Sequence, residues 1–245
     1  MPLDQAEAIV LRSSPVGDQD KLVVFLTRER GVLRGVAKGA RKFGNRFGSA
    51  LEPMSHVTAF FYEKERRDLV TVSACDLRQS FFDIQRNVDA ALTLAYFGEL
   101  IEDSVPGRAQ DDLLFRLLLA VLQALGQSLD TALLARYFEA WFLQIHGILP
   151  EVHRCRRCRK AIAESAAGWL APKRDGVYCD DCAPARKDEV RPPLPRFVAW
   201  ARRNPPASCT EAPFTREELQ SVGLALQAMI VYHLEREPKS LRFVR

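Results

Sequence analysis

Long apolar runs, histidine and phosphate-cradling glycine motifs are what this sequence lacks. The richest apolar stretch, 113–125, is interrupted by Arg116 and Gln123 and falls short of the roughly 20 residues that span a bilayer. The opening residues Met1-Pro2-Leu3-Asp4-Gln5-Ala6-Glu7 carry acids where an export signal is basic. A cytoplasmic protein without a membrane partner is expected, with its thiols kept reduced. No G-x-x-x-x-G-K-[ST] occurs; Gly35-Val36-Ala37-Lys38-Gly39 lacks both the length and the hydroxyl. G-x-G-x-x-G, H-E-x-x-H and G-x-S-x-G are also missing. The four histidines, His56, His146, His153 and His233, are scattered without a serine or cysteine partner at a meaningful spacing. Nothing here argues for catalysis, and a protein that is not an enzyme is expected. Charge of one sign is scarce too. Lys plus Arg number 35 against 31 Asp plus Glu, a net +4 that excludes a wholly polybasic protein but can conceal a local patch.

What is present divides into an N-terminal β region and a helical remainder. Short runs at 7–12, 21–27, 31–37, 57–62 and 69–74 are rich in Val, Ile, Leu and Phe. Turn-formers separate them at 14–18, 30–31 and 64–68. Five short strands in under 80 residues predict a small closed or partly open barrel, which removes the edges so short a sheet would expose. From about Phe81 the apolar residues recur at helical spacing, over 88–103, 111–125 and 130–145. Asp111 and Asp130 stand where N-caps belong. The stretch 88–101 is apolar almost all round and predicts a largely buried helix. Pro192, Pro193 and Pro195 read as a linker before a short helix at 196–203. The last helix opens on a capping box, Thr215-Arg216-Glu217-Glu218, and runs to about Glu235. It places Leu219, Val222, Leu226, Met229, Ile230 and His233 largely on one face.

Four of the six cysteines fall in two pairs, Cys155-x2-Cys158 and Cys179-x2-Cys182, with 20 residues between the pairs. Each pair can place two sulfurs on one ion from a tight knuckle, and the intervening loop lets the second knuckle close a tetrahedron. This is the spacing of a four-thiolate Zn2+ site, one per chain. A filled shell leaves no position for water, so the zinc is expected to be structural. Zinc with four thiolates leaves about −2 at the site. Arg154, Arg156, Arg157, Arg159 and Lys160 can offset that charge or contact nucleic acid; both readings stay open. His153 reads as a neighbour rather than a ligand, and Asp180 and Asp181 as solvated knuckle residues. Isolated Cys75 and Cys209 read as buried thiols.

The second concentration of chemistry is 28–47, where Arg28, Arg30, Arg34, Lys38, Arg41, Lys42 and Arg46 face Glu29 alone, a local +6. Glycines 31, 35, 39 and 44 interleave with them, and Phe43 and Phe47 flank Gly44-Asn45-Arg46. Such a segment can neutralise phosphates and let a backbone approach them, while an exposed aromatic can stack on bases. For these two phenylalanines core packing is the expectation. DNA or RNA contact is the functional reading, and a solvated charged loop the bland one.

Several segments resemble the RecO family of bacterial recombination mediators. They are Glu7-Ala8-Ile9-Val10-Leu11-Arg12, Gly17-Asp18-x-Asp20-Lys21-Leu22-Val23, Gly35-Val36-Ala37-Lys38-Gly39-Ala40-Arg41, Arg46-Phe47-Gly48 and Leu51-Glu52-Pro53. The resemblance extends along the whole chain. It implies an α+β multidomain fold: a five-stranded OB-fold barrel over 1–80, then an α-helical domain over 81–245 with a four-cysteine zinc finger inserted at 151–186. It also implies a DNA repair and recombination protein that binds single- and double-stranded DNA and anneals complementary strands. Such a protein acts with RecR and with the acidic C-terminal tail of single-strand-binding protein, and indirectly with RecA, at the nucleoid. Arg34, Lys38, Arg41, Lys42 and Arg46 are then the DNA-contact candidates. The chain departs from the family pattern at Asn45, where a small polar residue is expected, and at Leu241, where a second basic residue often stands. The alternatives to this reading are an RNA-binding or translation-associated module and a zinc-dependent hydrolase; the filled thiolate shell disfavours the latter.

Overall fold

The computed structural model describes residues 2–63, 68–105, 109–127, 130–163, 166–184 and 186–244. The chain forms two compact units, Met1–Ser128 and Leu129–Arg245. The first holds the barrel: β1 (Leu3–Val16), β2 (Asp20–Thr27), β3 (Gly31–Ala37), β4 (His56–Tyr62) and β5 (Leu69–Gln79). The strands close in the order β1-β2-β3-β5-β4, with β4 returning antiparallel to β1 and β3 parallel to β5. The closed barrel is the one the strand count predicts, and it fits the OB-fold that the resemblance implies. The turn expected over 64–68 lies, apart from Asp68, outside the described residues.

Alternate residues point inward, as the two-residue period of a strand requires: Ala6, Ala8 and Val10; Val23 and Phe25; Val57, Ala59 and Phe61; Val70 and Val72. The intervening Ile9, Leu11, Val24 and Leu26 are buried as well. Both faces of β1 and β2 are covered, so their sequence reads as continuous apolar runs rather than alternation. A helix lies on the outer side. α1 (Val88–Ser104) comes so close at Gly98 that a Cβ there would stand 3.3 Å from the Leu11 carbonyl oxygen. α1 buries Leu94, Tyr96, Phe97, Leu100 and Ile101, whereas Val88 at its start is exposed, so the burial expected for 88–101 covers one broad face. α2 (Asp112–Gly126) completes the unit, and Asp111 caps it by accepting from the Leu114 amide at 2.9 Å. Gly31 opens β3 at φ +60°, and a Cβ there would overlap the Ala109 carbonyl.

The second unit packs α3 (Thr131–Ile145) against α5 (Arg216–Leu234), with α4 (Pro193–Arg203) beside them. Asp130 caps α3 through the Ala132 and Leu133 amides. His146 is the C-cap of α3 and bonds back to the Phe142 carbonyl at 2.8 Å. The capping box of α5 forms as expected, with Glu218 N–H on the Thr215 hydroxyl and Thr215 N–H on the Glu218 carboxylate. Two expectations are corrected. Pro193 and Pro195 are not linker but the first turn of α4, where a missing N–H costs nothing, and Leu194 and Pro195 are buried. On α5, Leu219, Val222, Leu226, Met229 and Ile230 are buried, but His233 is exposed because the last turn extends past the core. Arg136 and Glu139 form an ion pair at 2.9 Å within this core, and Gln227 donates to the same carboxylate. Leu241, the departure from the family pattern, is fully buried. Cys75 and Cys209 are buried thiols whose pKa values burial pushes up, to about 12 and about 11.

Candidate nucleic-acid interface and metal centre

The basic segment sorts into two groups once each guanidinium is followed to its partner. Arg28 binds Glu7 and Asp112, and Arg30 binds Asp4 and Glu63. Arg34 lies 4.0 Å from Glu102, whose carboxylate also accepts from Arg12 at 2.9 Å. These three sit at the start of the segment, and carboxylates offset their charge. Lys38, Arg41, Lys42 and Arg46 follow β3 in the loop leading to β4, and all four are exposed. None of them has a carboxylate partner among the described residues.

This loop is fixed at both ends. Ala40, Phe47, Ala50 and Leu51 join the barrel core, so the segment is anchored from beneath. Arg41 donates to the carbonyls of Gly17 and Asp18 at 3.2 and 3.1 Å, and its amide donates to the Gln19 carbonyl. Asp20 accepts from the Gly39 amide at 2.8 Å. The Asp20 carboxylate and the carbonyls of the first turn therefore lace that turn to the basic loop. Arg46 donates to the Ser73 carbonyl at 2.6 Å and lies over the Phe47 ring. Carbonyls orient these guanidinium groups without cancelling their charge. The two phenylalanines part company: Phe47 is core, as expected, but Phe43 is fully exposed.

The four paired cysteines converge in the second unit. Their sulfurs all lie within 4.8 Å of one another, and those of Cys158 and Cys179 are 3.9 Å apart. A tetrahedron with zinc–sulfur bonds of about 2.3 Å has edges of about 3.8 Å, so the cluster fits that ion. The first knuckle turns because Arg159, directly after Cys158, takes the left-handed φ of 61° and its amide donates to the Cys155 carbonyl. In the second, the Cys182 and Ala183 amides both donate to the Cys179 carbonyl. A short sheet of β6 (Gly168–Leu170), β7 (Val177–Tyr178) and β8 (Glu189–Val190) supports them.

Burial opposes charge on Cys155, but backbone donors at Cys158, Cys179 and Arg157 outweigh it and lower its thiol pKa to about 6. The Cys182 thiol is pushed up to about 12, first by its hydrogen bond to Cys179 and then by burial. His153 stays outside the cluster. Asp180 accepts from the Trp169 indole and from Arg186, so it braces the knuckle. Of the surrounding arginines, Arg154 and Arg159 bind Glu151, and Arg156 binds Asp175. Sequence spacing could not show these pairings.

Comparison with known proteins places this geometry. The family model described as Recombination protein O N terminal matches residues 1–81, and that described as Recombination protein O C terminal matches 85–242. DNA repair protein RecO of Koribacter versatilis (strain Ellin345) is 33% identical over 237 residues, covering 96% of this chain and 95% of that protein. The RecO of Desulforudis audaxviator (strain MP104C) is 32% identical over 248 residues, covering 98% and 96%. That of Nocardioides sp. (strain ATCC BAA-499 / JS614) is 32% identical over 256 residues, covering 97% of each. The OB-type barrel with its basic loop and the helices with their four-cysteine cluster thus stand, in this chain, on segments that match a family of recombination proteins. This chain belongs to the RecO family. No helix among its described residues is long and apolar enough to cross a membrane.

Proposed function

We propose that this chain is a DNA repair and recombination mediator that binds single- and double-stranded DNA and anneals complementary strands without covalent chemistry. The observation that carries the reading is the exposed set Lys38, Arg41, Lys42 and Arg46, four cations without carboxylate partners among the described residues, in the loop after β3. Uncompensated cations release the counterions of a phosphate backbone on binding, and that release supplies the affinity. Arg34, sharing Glu102, adds a weaker contact. The Cys155, Cys158, Cys179 and Cys182 thiolates would hold one structural zinc, which fastens the finger and takes no part in a reaction. The family points to RecR and the acidic tail of single-strand-binding protein as partners, with RecA loading as the outcome, in the cytoplasm at the nucleoid.

Charge reversal tests the reading. The variant Lys38→Glu/Arg41→Glu/Arg46→Glu is expected to bind every DNA sequence more weakly. Its salt dependence should flatten by about 0.7 in slope per lost single-strand contact. It should also lose annealing of strands coated with single-strand-binding protein. Fluorescence anisotropy across a salt series checks this, and an unchanged slope would refute it. Structured RNA offered as competitor separates DNA preference from the RNA-module alternative.

A further inference from the structure

Among the described residues, Phe43 is the most exposed large apolar side chain, at 108% against 70% for Val88, the next. A lone exposed apolar residue is ordinary on a protein surface. The position of this one is not. Phe43 and Gly44 are the two central residues of a turn closed by the Asn45 amide on the Lys42 carbonyl at 3.2 Å. Gly44 has φ +66°, the left-handed value that the third position of a type II turn requires. The Asn45 side chain grips both ends of the turn: its amide group donates to the Lys42 carbonyl, and its oxygen accepts from the Phe47 amide at 3.0 Å. Phe47 in turn is buried in the barrel. The backbone that carries the ring is therefore ordered, and the ring stands outward in solvent at the apex of the turn. Around it, in a window of nine residues, stand the exposed Lys38, Arg41, Lys42 and Arg46.

An apolar ring framed by uncompensated cations matches a ligand that is flat and apolar at one point and anionic on either side. A nucleotide with an unpaired base has that form. In a duplex the base faces are already stacked, and only phosphates and groove edges remain to be met. We propose that Phe43 is a base-stacking residue that takes an unpaired nucleobase on its ring while the flanking cations hold the phosphates. It thereby favours single strands over duplex at this interface. The inference rests on the DNA-binding reading above and adds the residue that discriminates between the two forms.

The test uses the full chain, a thymine oligonucleotide and a duplex of the same length, followed by anisotropy over a salt series. Phe43→Ala is expected to weaken single-strand binding by about tenfold or more, with its salt slope unchanged, and duplex binding by less than about twofold. Phe43→Trp is expected to keep single-strand affinity, and its added indole emission is quenched as the oligonucleotide binds. Lys38→Glu/Lys42→Glu is expected to weaken both forms and flatten both slopes. Phe43→Ala binding single strands as tightly as the parent, or losing both forms equally, would overturn the proposal while leaving the DNA reading intact. Absence of salt-dependent DNA binding by the parent chain would overturn both.

Discussion

Glu7 shows how much one side chain of the barrel has to hold. It lies on β1, accepts from the His56 ring at 2.9 Å and from Arg28 at 3.2 Å, and has Arg78 within 3.6 Å. Burial works against its charge, but the His56 and Arg28 hydrogen bonds outweigh that and hold its carboxyl below the ordinary value of 4.5. A carboxyl depressed in the folded state contributes stability above its unfolded pKa and loses it as pH falls through its folded one. The barrel should therefore weaken below about pH 4.5. Glu7→Gln should cost about 2 kcal/mol at neutral pH and remove that acid-side loss. Melting temperatures of both forms between pH 3 and 7 give the answer. Parallel curves would show that Glu7 is not the group responsible. Asn45 makes the same point without charge. Its side chain supplies two hydrogen bonds to the turn that carries Phe43.

Elements differ in how openly the sequence declares them. Helix starts were legible because a cap is a local event: Asp111, Asp130 and Thr215 each meet an amide two or three residues on. Thr215→Ala should then cost about 1 kcal/mol and Thr215→Ser very little, read from urea midpoints of the two variants. Equal midpoints for Thr215→Ala and the parent would show the cap idle. Glu218 has a second role that spacing could not reveal, since its other oxygen accepts from Arg196 of α4 at 2.6 Å. Strands were legible in number, but β1 and β2 carried no alternation because both their faces are buried, with α1 against β1. Pro193 and Pro195 looked like a break for a local reason too: proline ends a helix from within but begins one well. Phe43 and Phe47 are identical in type and four residues apart; only the left-handed Gly44 and the grip of Asn45 separate core from solvent.

At the scale of the whole molecule, the net +4 is the residue of many cancellations. Most arginines of the barrel and of the zinc finger are matched to a named carboxylate, and the loop after β3 is where matching stops. The cysteine cluster was legible from spacing alone because each two-residue gap forces a tight knuckle that brings its two sulfurs together. The fate of the arginines around it was not, since Glu151 and Asp175 reach them only after the finger has folded. That pairing lowers the net charge the knuckle can offer either to thiolates or to nucleic acid. With Arg154, Arg156 and Arg159 held by acids, Arg157 and Lys160 are the two of the five knuckle cations without a carboxylate among the described residues, fewer than the four of the barrel loop. If the four cysteines hold the proposed zinc, treating the full chain with a strong chelator should separate structure from binding. Hydrogen exchange should accelerate across 155–182, because a four-thiolate cluster without its ion loses the energy that closes it, while β1 to β5 keep their protection. Single-strand affinity should change by less than about twofold, against the large loss expected from Lys38, Arg41 and Arg46 reversal. An equal loss on chelation would move the DNA contact from the barrel to the finger.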